Sequence, residues 1–406
     1  MADDARIGTV DWGLRRTQIA KRQQRAFVDR VRLGHGDLAP EGAMENDARV
    51  YTDETRLTRE LETVFRAFPI LAGLSNDVPD PGSIMLFEEL GQSIIIVRNK
   101  MGEVRAYLNM CTHRSMQLVD APCKKARFTC PFHGWTYDLN GKLIGVPEPE
   151  AFENIERSTR GLKPVPVKEW AGMIFILPHA GDDEIDLEAH LEDFAVELQQ
   201  LELWKAQPVK SGTMEADCNW KYALDTYGEA YHFPVLHRDT VALYNTTESY
   251  HETFGRHSRI AWPTTEIKDL LDRPESDWPE PSYGGVHYLF PNTILFYGSV
   301  GAQEPFVQIF RHFPDGAHAM RTQFSVYSRD VITSEEDRTF IETAGYDGTA
   351  HVVETEDYWV AAKGYEQLRR APEGFKVIYG ANELSLQHKH EELATATGMP
   401  LEAESE

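Results

Sequence analysis

The chain has 406 residues, a hydrophobic fraction of 41% and a formal net charge of -24. This length allows two domains or one large domain with real hydrophobic cores, and the acidic balance argues against nucleic acid as a partner, because phosphate binding needs a basic surface. Apolar runs stay far below the roughly 18 residues of a membrane span and the first ten residues lack a signal-peptide stretch, so we expect a soluble, cytoplasmic protein that binds no membrane.

The first 66 residues have a helical pattern, which we expect to form an N-terminal segment 1–66 that packs on the larger domain of residues 181–406. Apolar residues recur at helical spacing until Pro69 ends the pattern. Residues 15–32 carry seven Lys or Arg residues and one acid, Asp29. We interpret this stretch as a solvated or subunit-contacting helix face; a docking patch for an acidic redox protein is the weaker alternative.

Residues 84–177 change to short β-rich runs separated by turns. Asn140-Gly141 is the signal of a type I′ hairpin turn, and residues 100–103 predict another turn. The pattern predicts a small all-β domain, to which we assign residues 67–180.

Three of the four cysteines lie in the stretch CTHRSMQLVDAPCKKARFTCPFHGW, residues 111–135. In a chain with so few cysteines, clustered Cys and His indicate a metal site rather than a disulfide scaffold. A structural zinc site would group like ligands together, whereas each loop here offers one Cys and one His. A Rieske [2Fe-2S] cluster needs this mixed arrangement, because two thiolates hold one iron and two imidazoles hold the other.

The stretch resembles the Rieske family in its Cys-x-His-x16-Cys-x-x-His-Gly-Trp pattern. The resemblance implies that Cys111 and Cys130 bind one iron and that His113 and His133 bind the other. Cys123 falls outside the pattern, and we interpret it as an ordinary small apolar residue. The Rieske proteins of respiratory complexes carry an extra Cys in each loop, and Met116 and Phe132 occupy those positions here.

The remaining residues, 181–406, show a mixed pattern. Helices are predicted over 185–203, 225–231, 333–368 and 382–393, and antiparallel strands over 287–300, 306–313 and 319–330. The chain is therefore predicted to be α+β, with a small all-β Rieske domain and a larger catalytic domain whose antiparallel sheet is flanked by helices.

A second candidate metal site lies in NWKYALDTYGEAYHFPVLH, residues 219–237. On a helix, Asp225, Glu229 and His232 fall at i, i+4 and i+7, so that one face carries two acids and an imidazole.

His237 follows His232 by five residues, out of register for an ideal helix. Pro234 should disturb the helix between them and allow the two imidazoles to converge. Two His and one carboxylate leave open positions on Fe(II), as in non-heme oxygenases.

This second stretch is similar to the iron motif of Rieske non-heme iron oxygenase α subunits, and the similarity covers nearly the whole chain. The resemblance implies a third iron ligand on a C-terminal helix, in the stretch ETEDYWVAAKGYEQL. Asp357 takes that position, with Glu354 and Glu356 as alternatives.

In that family an acid three residues before the first His links the iron site to a cluster His of the neighbouring subunit in a trimer. The resemblance implies that Glu229 has this role between His232 and His133 of the neighbouring subunit. Asp225 is expected nearby, orienting a ligating imidazole. Arene dioxygenases usually have Asp where this chain has Glu229.

The sequence thus predicts an oxygenase that holds a [2Fe-2S] Rieske cluster and a mononuclear Fe(II). It would use O2 and electrons from a separate flavin or iron-sulfur reductase or ferredoxin. The expected reaction is hydroxylation or dihydroxylation of an aromatic compound, in aromatic compound catabolism. The expected assembly is a homotrimer, with or without a β subunit. One alternative is a monooxygenase or demethylase of a quaternary-ammonium or methylated substrate, to which Glu229 points. Another is a redox carrier without the second iron. The pocket is expected to be lined from the sheet and nearby segments, where six aromatic residues cluster: Tyr283, Tyr288, Phe290, Phe296, Tyr297 and Phe306. Most of these are expected in the core, and a few that face the iron would suit an arene or a cationic amine.

Overall fold

The computed structural model of the protein describes residues 11–298 and 306–401. The strands are β1 Met44–Asp47, β2 Ile70–Leu74, β3 Ser83–Phe87, β4 Ile94–Arg98, β5 Val104–Leu108, β6 Cys123–Lys124, β7 Phe128–Thr129, β8 Thr136–Tyr137, β9 Leu143–Gly145, β10 Val167–Trp170, β11 Met173–Ile176, β12 Gln207–Ala216, β13 Tyr250–Phe254, β14 His257–Ala261, β15 Gly285–Leu289, β16 Thr293–Tyr297, β17 Phe306–Pro314, β18 Met320–Ser328 and β19 Lys376–Tyr379.

The α-helices are α1 Trp12–Leu33, α2 Arg49–Thr52, α3 Glu54–Glu60, α4 Leu187–Leu191, α5 Phe194–Gln199, α6 Trp220–Asp225, α7 Phe233–Leu236, α8 Glu335–Phe340, α9 Thr349–Val352, α10 Tyr358–Leu368 and α11 Leu384–Thr397. The π-helical segments are Leu61–Phe65, Ile341–Gly348 and Val353–Asp357. The 3-10 turns are Ser75–Asp77, Pro149–Phe152, Arg157–Thr159, Leu203–Lys205, Val241–Leu243, Thr265–Leu270 and Glu275–Asp277. None of the helices within the described residues combines the length and the apolar character that a membrane crossing requires.

The chain forms two compact units. One comprises Phe65–His190 and Leu203–Lys205, and the other comprises Met1–Val64, Leu191–Glu202 and Ala206–Glu406. The α+β fold class predicted from the sequence is confirmed. The predicted boundaries at residues 66 and 180 stay predictions.

The smaller unit is built from three small sheets. Their strand orders are β5-β4-β3-β6, β7-β8-β9 and β10-β11-β2, and every pairing is antiparallel. Strand β4 is fully buried, as its run of Ile and Val side chains requires. The β-rich pattern of residues 84–177 therefore predicted the secondary structure correctly.

The hairpin between β8 and β9 forms as predicted, but its turn is not type I′. That turn needs a positive φ at both central residues, and only Gly141 has one, at 77°. The N–H of Gly141 donates to the carbonyl of Asp138 at 3.0 Å, and the N–H of Asp138 donates to Lys142 at 2.9 Å. This is a three-residue connection that closes on a glycine bulge.

The larger unit is organised around a seven-stranded antiparallel sheet of order β12-β18-β17-β16-β15-β14-β13. The predicted strand over 287–300 is the hairpin of β15 and β16, and its last two residues lie outside the described part of the chain. Met320, Thr322, Phe324 and Val326 on β18 share a buried face, as alternation predicts. Phe324 stacks on Tyr346 of the π-helical segment Ile341–Gly348, with ring centroids 4.8 Å apart.

The predicted helix over 333–368 is present as α8, α9 and α10 joined by two π-helical segments. Ser334 caps its start by accepting from the N–H of Asp337 at 3.0 Å. The predicted helix over 185–203 is broken into α4 and α5, because Glu192 between them adopts a positive φ of 47°.

The basic stretch of residues 15–32 lies on α1, whose apolar face contributes Phe27 and Val28 to a core with Ala261, Ile267 and Leu270. Six of its seven basic side chains form ion pairs within the larger unit, and their partners are Glu202, Glu280, Glu252, Glu275, Asp37 and Asp29. This pairing favours a structural role for the helix over a docking patch.

Candidate functional site

Two loops of the smaller unit have the same backbone pattern around Cys111 and Cys130. In each loop the cysteine N–H donates to the carbonyl five residues on at 2.8 Å, and the cysteine carbonyl accepts from the N–H four residues on at 2.9 or 3.0 Å. The residue at that fourth position, Ser115 or Gly134, has a positive φ of 62° or 72°. The two loops with similar Cys and His spacing therefore also share the same backbone hydrogen bonds and the same positive φ.

The side chains of these loops meet between them. The rings of His113 and His133 have centroids 4.7 Å apart, and the Nδ1 atom of each is buried without a hydrogen-bond partner among the described residues. Cys111 and Cys130 are buried free thiols. Burial raises the pKa of Cys111 and lowers the pKa of His113, and the neutral imidazole is the form that binds metal.

The surrounding side chains enclose this group. The hydroxyl of Tyr137 lies 3.2 Å from Sγ of Cys111, and Trp135 stacks on His113 at 4.8 Å. Cys123 packs against the edge of the same core and is half-buried, which agrees with its interpretation as an apolar residue.

The second predicted site begins at α6, which Asn219 caps by accepting from the N–H of Lys221 at 3.0 Å. The helix ends at Asp225, so the predicted helix over 225–231 is wrong, and Asp225, Glu229 and His232 do not share a helical face. Gly228 lies in the turn that follows. Glycine loses more backbone entropy in a helix than any other residue, so it does not favour continuing the helix.

The effect predicted for Pro234 is also wrong. Pro234 lies in the first turn of α7, where its missing N–H has no helical partner to lose, so it begins a helix instead of disturbing one. His232 and His237 flank this single turn, and their ring centroids are 4.8 Å apart. The two imidazoles converge as expected, but for the opposite reason.

Asp357 completes a group with these two histidines. One ligand atom from each of His232, His237 and Asp357 lies within 4.8 Å of the others. Oδ1 of Asp357 is 3.7 Å from Nε2 of His232 and 3.4 Å from Nε2 of His237. Two imidazoles and one carboxylate suit Fe(II) with open positions.

Each histidine of the group is held by a carboxylate at its other nitrogen. Nδ1 of His232 bonds Glu229, and Nδ1 of His237 bonds Oε2 of Glu356 at 2.5 Å. Because a carboxylate only accepts, the proton lies on Nδ1 and each Nε2 keeps its lone pair. Burial opposes protonation of His237, but Asp357 and Glu356 outweigh it and raise its pKa.

The three acids considered for the third position therefore have different surroundings. Asp357 is buried beside the histidines, Glu356 orients His237 and also accepts from Thr240 at 2.8 Å, and Glu354 is exposed. Sequence reasoning weighed Glu356 only as a rival ligand and missed its hydrogen bond to His237.

Asp225 has no place in this group, so its predicted contact with a ligating imidazole is wrong. Its carboxylate bonds Tyr51, Lys389 at 2.5 Å and His390 at 3.1 Å. Burial alone would raise the pKa of Asp225, but the charges of Lys389 and His390 outweigh it and hold that pKa well below its usual range. Both Nδ1 atoms at the iron group are already bonded to other acids, which leaves no imidazole nitrogen for Asp225.

A cavity of about 540 Å³ opens beside the group. Its wall includes Glu229, His232, His237 and Asp357, and most of the remaining lining is apolar and aromatic: Tyr227, Phe233, Tyr244, Trp262, Phe296, Phe306, Phe310 and Phe340.

Of the six clustered aromatic residues, Phe296 and Phe306 line the cavity, and the others are buried elsewhere, in line with the expectation that most of them belong to the core. The other four do not line it: Tyr283 bonds Arg259 and His287, Tyr288 donates to Pro291, Arg329 lies over the ring of Tyr297, and Phe290 is fully buried.

Comparison with known proteins matches both units. Residues 69–166 match the Rieske [2Fe-2S] domain, and residues 202–398 match the catalytic domain of the ring hydroxylating alpha subunit. These two families imply the two cofactors predicted from the sequence, a Rieske cluster and a mononuclear iron. The unpartnered Nδ1 atoms of His113 and His133 and the unpartnered Nε2 of His232 fit such occupants.

The chain is 28% identical over 260 residues to the glycine betaine monooxygenase oxygenase subunit of Chromohalobacter salexigens, a match that covers 63% of this chain and 54% of the relative. It is 31% identical over 207 residues to the biphenyl 2,3-dioxygenase subunit alpha of Rhodococcus jostii, covering 48% and 44%. The chain thus spans about half the length of these relatives. A crystal structure of a quaternary ammonium Rieske monooxygenase with L-carnitine has the same fold, with a TM-score of 0.73 and 20% identity over 89% of this chain and 96% of that one.

Proposed function

The chain belongs to the Rieske non-heme iron oxygenase α-subunit family, and from this we propose that it is the oxygenase component of an enzyme that hydroxylates an organic substrate with O2. Electrons come from a separate reductase or ferredoxin. The convergence of His232, His237 and Asp357 at the wall of an apolar cavity carries this proposal.

In this proposal His232, His237 and Asp357 hold the mononuclear iron, and Cys111, His113, Cys130 and His133 hold the cluster. The iron supplies O2 activation, and the cluster supplies single electrons.

The protein residues fix the geometry around the iron. Glu229 and Glu356 each accept a hydrogen bond from the Nδ1–H group of a histidine. These bonds would orient the imidazoles so that both Nε2 lone pairs are available to the ion. The apolar side chains of the cavity keep bulk water from the reacting substrate.

The cavity favours an uncharged substrate with an apolar or aromatic ring. Among the described residues that line it, Lys and Arg are absent, and the carboxylates of Glu229 and Asp357 are engaged with histidines. A substrate carboxylate or a full positive charge would lose hydration there without a counter-charge.

A quaternary-ammonium substrate is the second candidate. The glycine betaine monooxygenase relative and Glu229 favour it, and a cation in the cavity could lie against aromatic faces such as that of Trp262. The cation-π attraction would have to offset the missing counter-charge.

We further propose a homotrimer in which Glu229 links His232 to His133 of the neighbouring subunit. The hydrogen bond from His232 to Glu229 supports one half of this link. Native mass spectrometry measures the oligomeric state, and a monomer that oxidises substrate at full rate would contradict the link.

Iron analysis and oxygen uptake test the proposed function together. A [2Fe-2S] cluster and one further ion give about three Fe per chain, whereas a redox carrier would hold about two and a zinc protein none. Uptake is then measured with a surrogate reductase on biphenyl and on the matched pair choline and 3,3-dimethylbutanol, which differ in charge but hardly in shape. Oxidation of choline with no oxidation of the neutral compounds would favour the second candidate.

A further inference from the structure

One polar side chain stands in the aromatic wall of the cavity on β17. Gln308 lies between Phe306 and Phe310 on the same face of the strand, and all three residues line the cavity. Across the sheet Gln308 pairs with Phe296, which lines the cavity as well. Gln308 is only 8% exposed, so its amide needs hydrogen-bond partners to offset the cost of burial.

The hydrogen bonds of Gln308 fix the orientation of its amide. Nε2 donates to the carbonyl oxygen of Gly345 at 2.6 Å and to Oγ1 of Thr349 at 2.7 Å. A backbone carbonyl can only accept, so the amide nitrogen must face the helix that carries Gly345. Both N–H groups are used there, and Oε1 is directed away from the helix.

Oε1 of Gln308 has no donor among the described residues of the protein. Because both N–H groups are used on the helix side and the side chain lines the cavity, Oε1 is the polar atom left to face the open space. An amide oxygen in an aromatic wall favours a ligand that brings an O–H or N–H group to it, because an unpaired buried acceptor is costly.

We propose that Gln308 determines substrate specificity by accepting a hydrogen bond from a hydroxyl or N–H group on the substrate. The substrate class is then a neutral ring compound with one hydrogen-bond donor. This inference rests on the proposed function, because it takes the cavity as the substrate pocket. Quaternary nitrogen carries no N–H and could not satisfy Gln308 through its charged group.

Three probes test the preference on the wild-type holoenzyme: 4-hydroxybiphenyl, its methyl ether and biphenyl. Dissociation constants are measured by equilibrium dialysis under argon, where no turnover occurs. A buried hydrogen bond of ordinary strength predicts that the phenol binds about tenfold more tightly than the ether and the parent. Equal affinity of the phenol and the ether overturns the role of Gln308.

Two variants assign the preference to a residue. Gln308→Met removes the acceptor and should bind all three probes alike, with the affinity for biphenyl kept. Asn245 is the matched control, since it also lines the cavity and donates from Nδ2 to Val241 at 3.0 Å. Asn245→Leu should keep the tenfold preference for the phenol. If Asn245→Leu loses this preference while Gln308→Met keeps it, the proposal is overturned.

The outcomes separate this inference from the proposed function. If none of the three probes binds, the cavity is not a pocket for these ring compounds and the role of Gln308 is overturned, whereas the oxygenase function is decided separately by iron content and oxygen uptake. If the probes bind equally and are oxidised, only the role of Gln308 is overturned. Melting temperature and the visible spectrum of the cluster show whether Gln308→Met is folded, and the wild-type comparison decides the preference without any variant.

Discussion

Glu356 accepts a hydrogen bond from Nδ1 of His237 at 2.5 Å, and the opposite nitrogen of that ring lies 3.4 Å from Asp357. Glu356 is thus placed to orient a ligand without being one. Glu356→Gln replaces the charged carboxylate acceptor by a neutral amide, which is a weaker acceptor for Nδ1–H of His237, and should weaken iron binding by about 10- to 100-fold.

The measurement for Glu356→Gln is iron retained after dialysis against graded chelator. Glu354→Gln is the matched control, because Glu354 is two residues away and exposed. Equal loss of iron in both variants would mean that the hydrogen bond to His237 has no role in holding the ion.

Asp357→Ala should remove the mononuclear iron and leave the cluster intact, since the cluster residues lie in the other compact unit. Iron should fall from about three to about two per chain, with the visible spectrum of the cluster unchanged. If the variant retains the third iron, the ligand is Glu354 or Glu356 instead.

Without added chelator, Glu229→Gln should keep both metals but lower steady-state oxidation by at least about 100-fold, because the proposed link from His232 through Glu229 to His133 of the neighbouring subunit is lost. Metal content and single-turnover oxidation by pre-reduced enzyme are measured beside the steady-state rate. Glu229→Asp keeps the charge and serves as the control. Unchanged turnover in the Gln variant would remove Glu229 from the proposed link between subunits.

The ion pair of Asp225 and Lys389 is expected to stabilise the fold, because both side chains are buried and their charged atoms are 2.5 Å apart. Lys389→Met leaves the carboxylate without its main counter-charge and should lower the free energy of unfolding by about 3–5 kcal/mol. Urea unfolding followed by tryptophan fluorescence measures the loss. The double variant with Asp225→Asn should regain part of it.

An exposed ion pair provides the control for that loss. Lys363 and Glu366 are 3.9 Å apart and half-exposed, so Lys363→Met should change stability by less than about 1 kcal/mol. A similar loss in both variants would mean that burial does not decide the strength of the Asp225 pair.

Asp225 also predicts an acid dependence of stability. Its pKa in the folded protein is lowered, so its contribution is present above the ordinary aspartate pKa and is lost as the pH falls through the lower folded value. Below about pH 4 the wild type should therefore lose more stability than the double variant, measured by thermal unfolding across an acid series. Parallel losses would contradict the assignment.

Much of the fold and of the smaller unit followed from local sequence. The two cluster loops are each stretches of a few residues, and their Cys and His spacing predicts the repeated backbone pattern. The strands of residues 84–177 followed from alternation and turn signals, although the type of the turn at Gly141 depended on a φ angle at Asn140 that the dipeptide alone does not fix.

The errors in the larger unit have a common cause. The spacing of Asp225, Glu229 and His232 fits a helix. Spacing alone predicts a shared face only if the helix continues through all three residues, and it does not show where the helix ends. Asp225 finds Lys389 and His390, more than 160 residues away, and α6 ends at that residue. The short strand β1 was missed for the same reason, since it exists only through its pairing with β19.

The sequence by itself determined the Rieske loops and the pairing of His232 with His237, because each is encoded within one short stretch, residues 111–135 and 232–237. Only the tertiary structure decided which of three neighbouring acids meets the histidines, and that Gln308 lies in the wall of the cavity. The physical reason is that two π-helical segments shift the phase of the long helix, and side-chain partners across a sheet or between helices depend on packing that no local pattern contains.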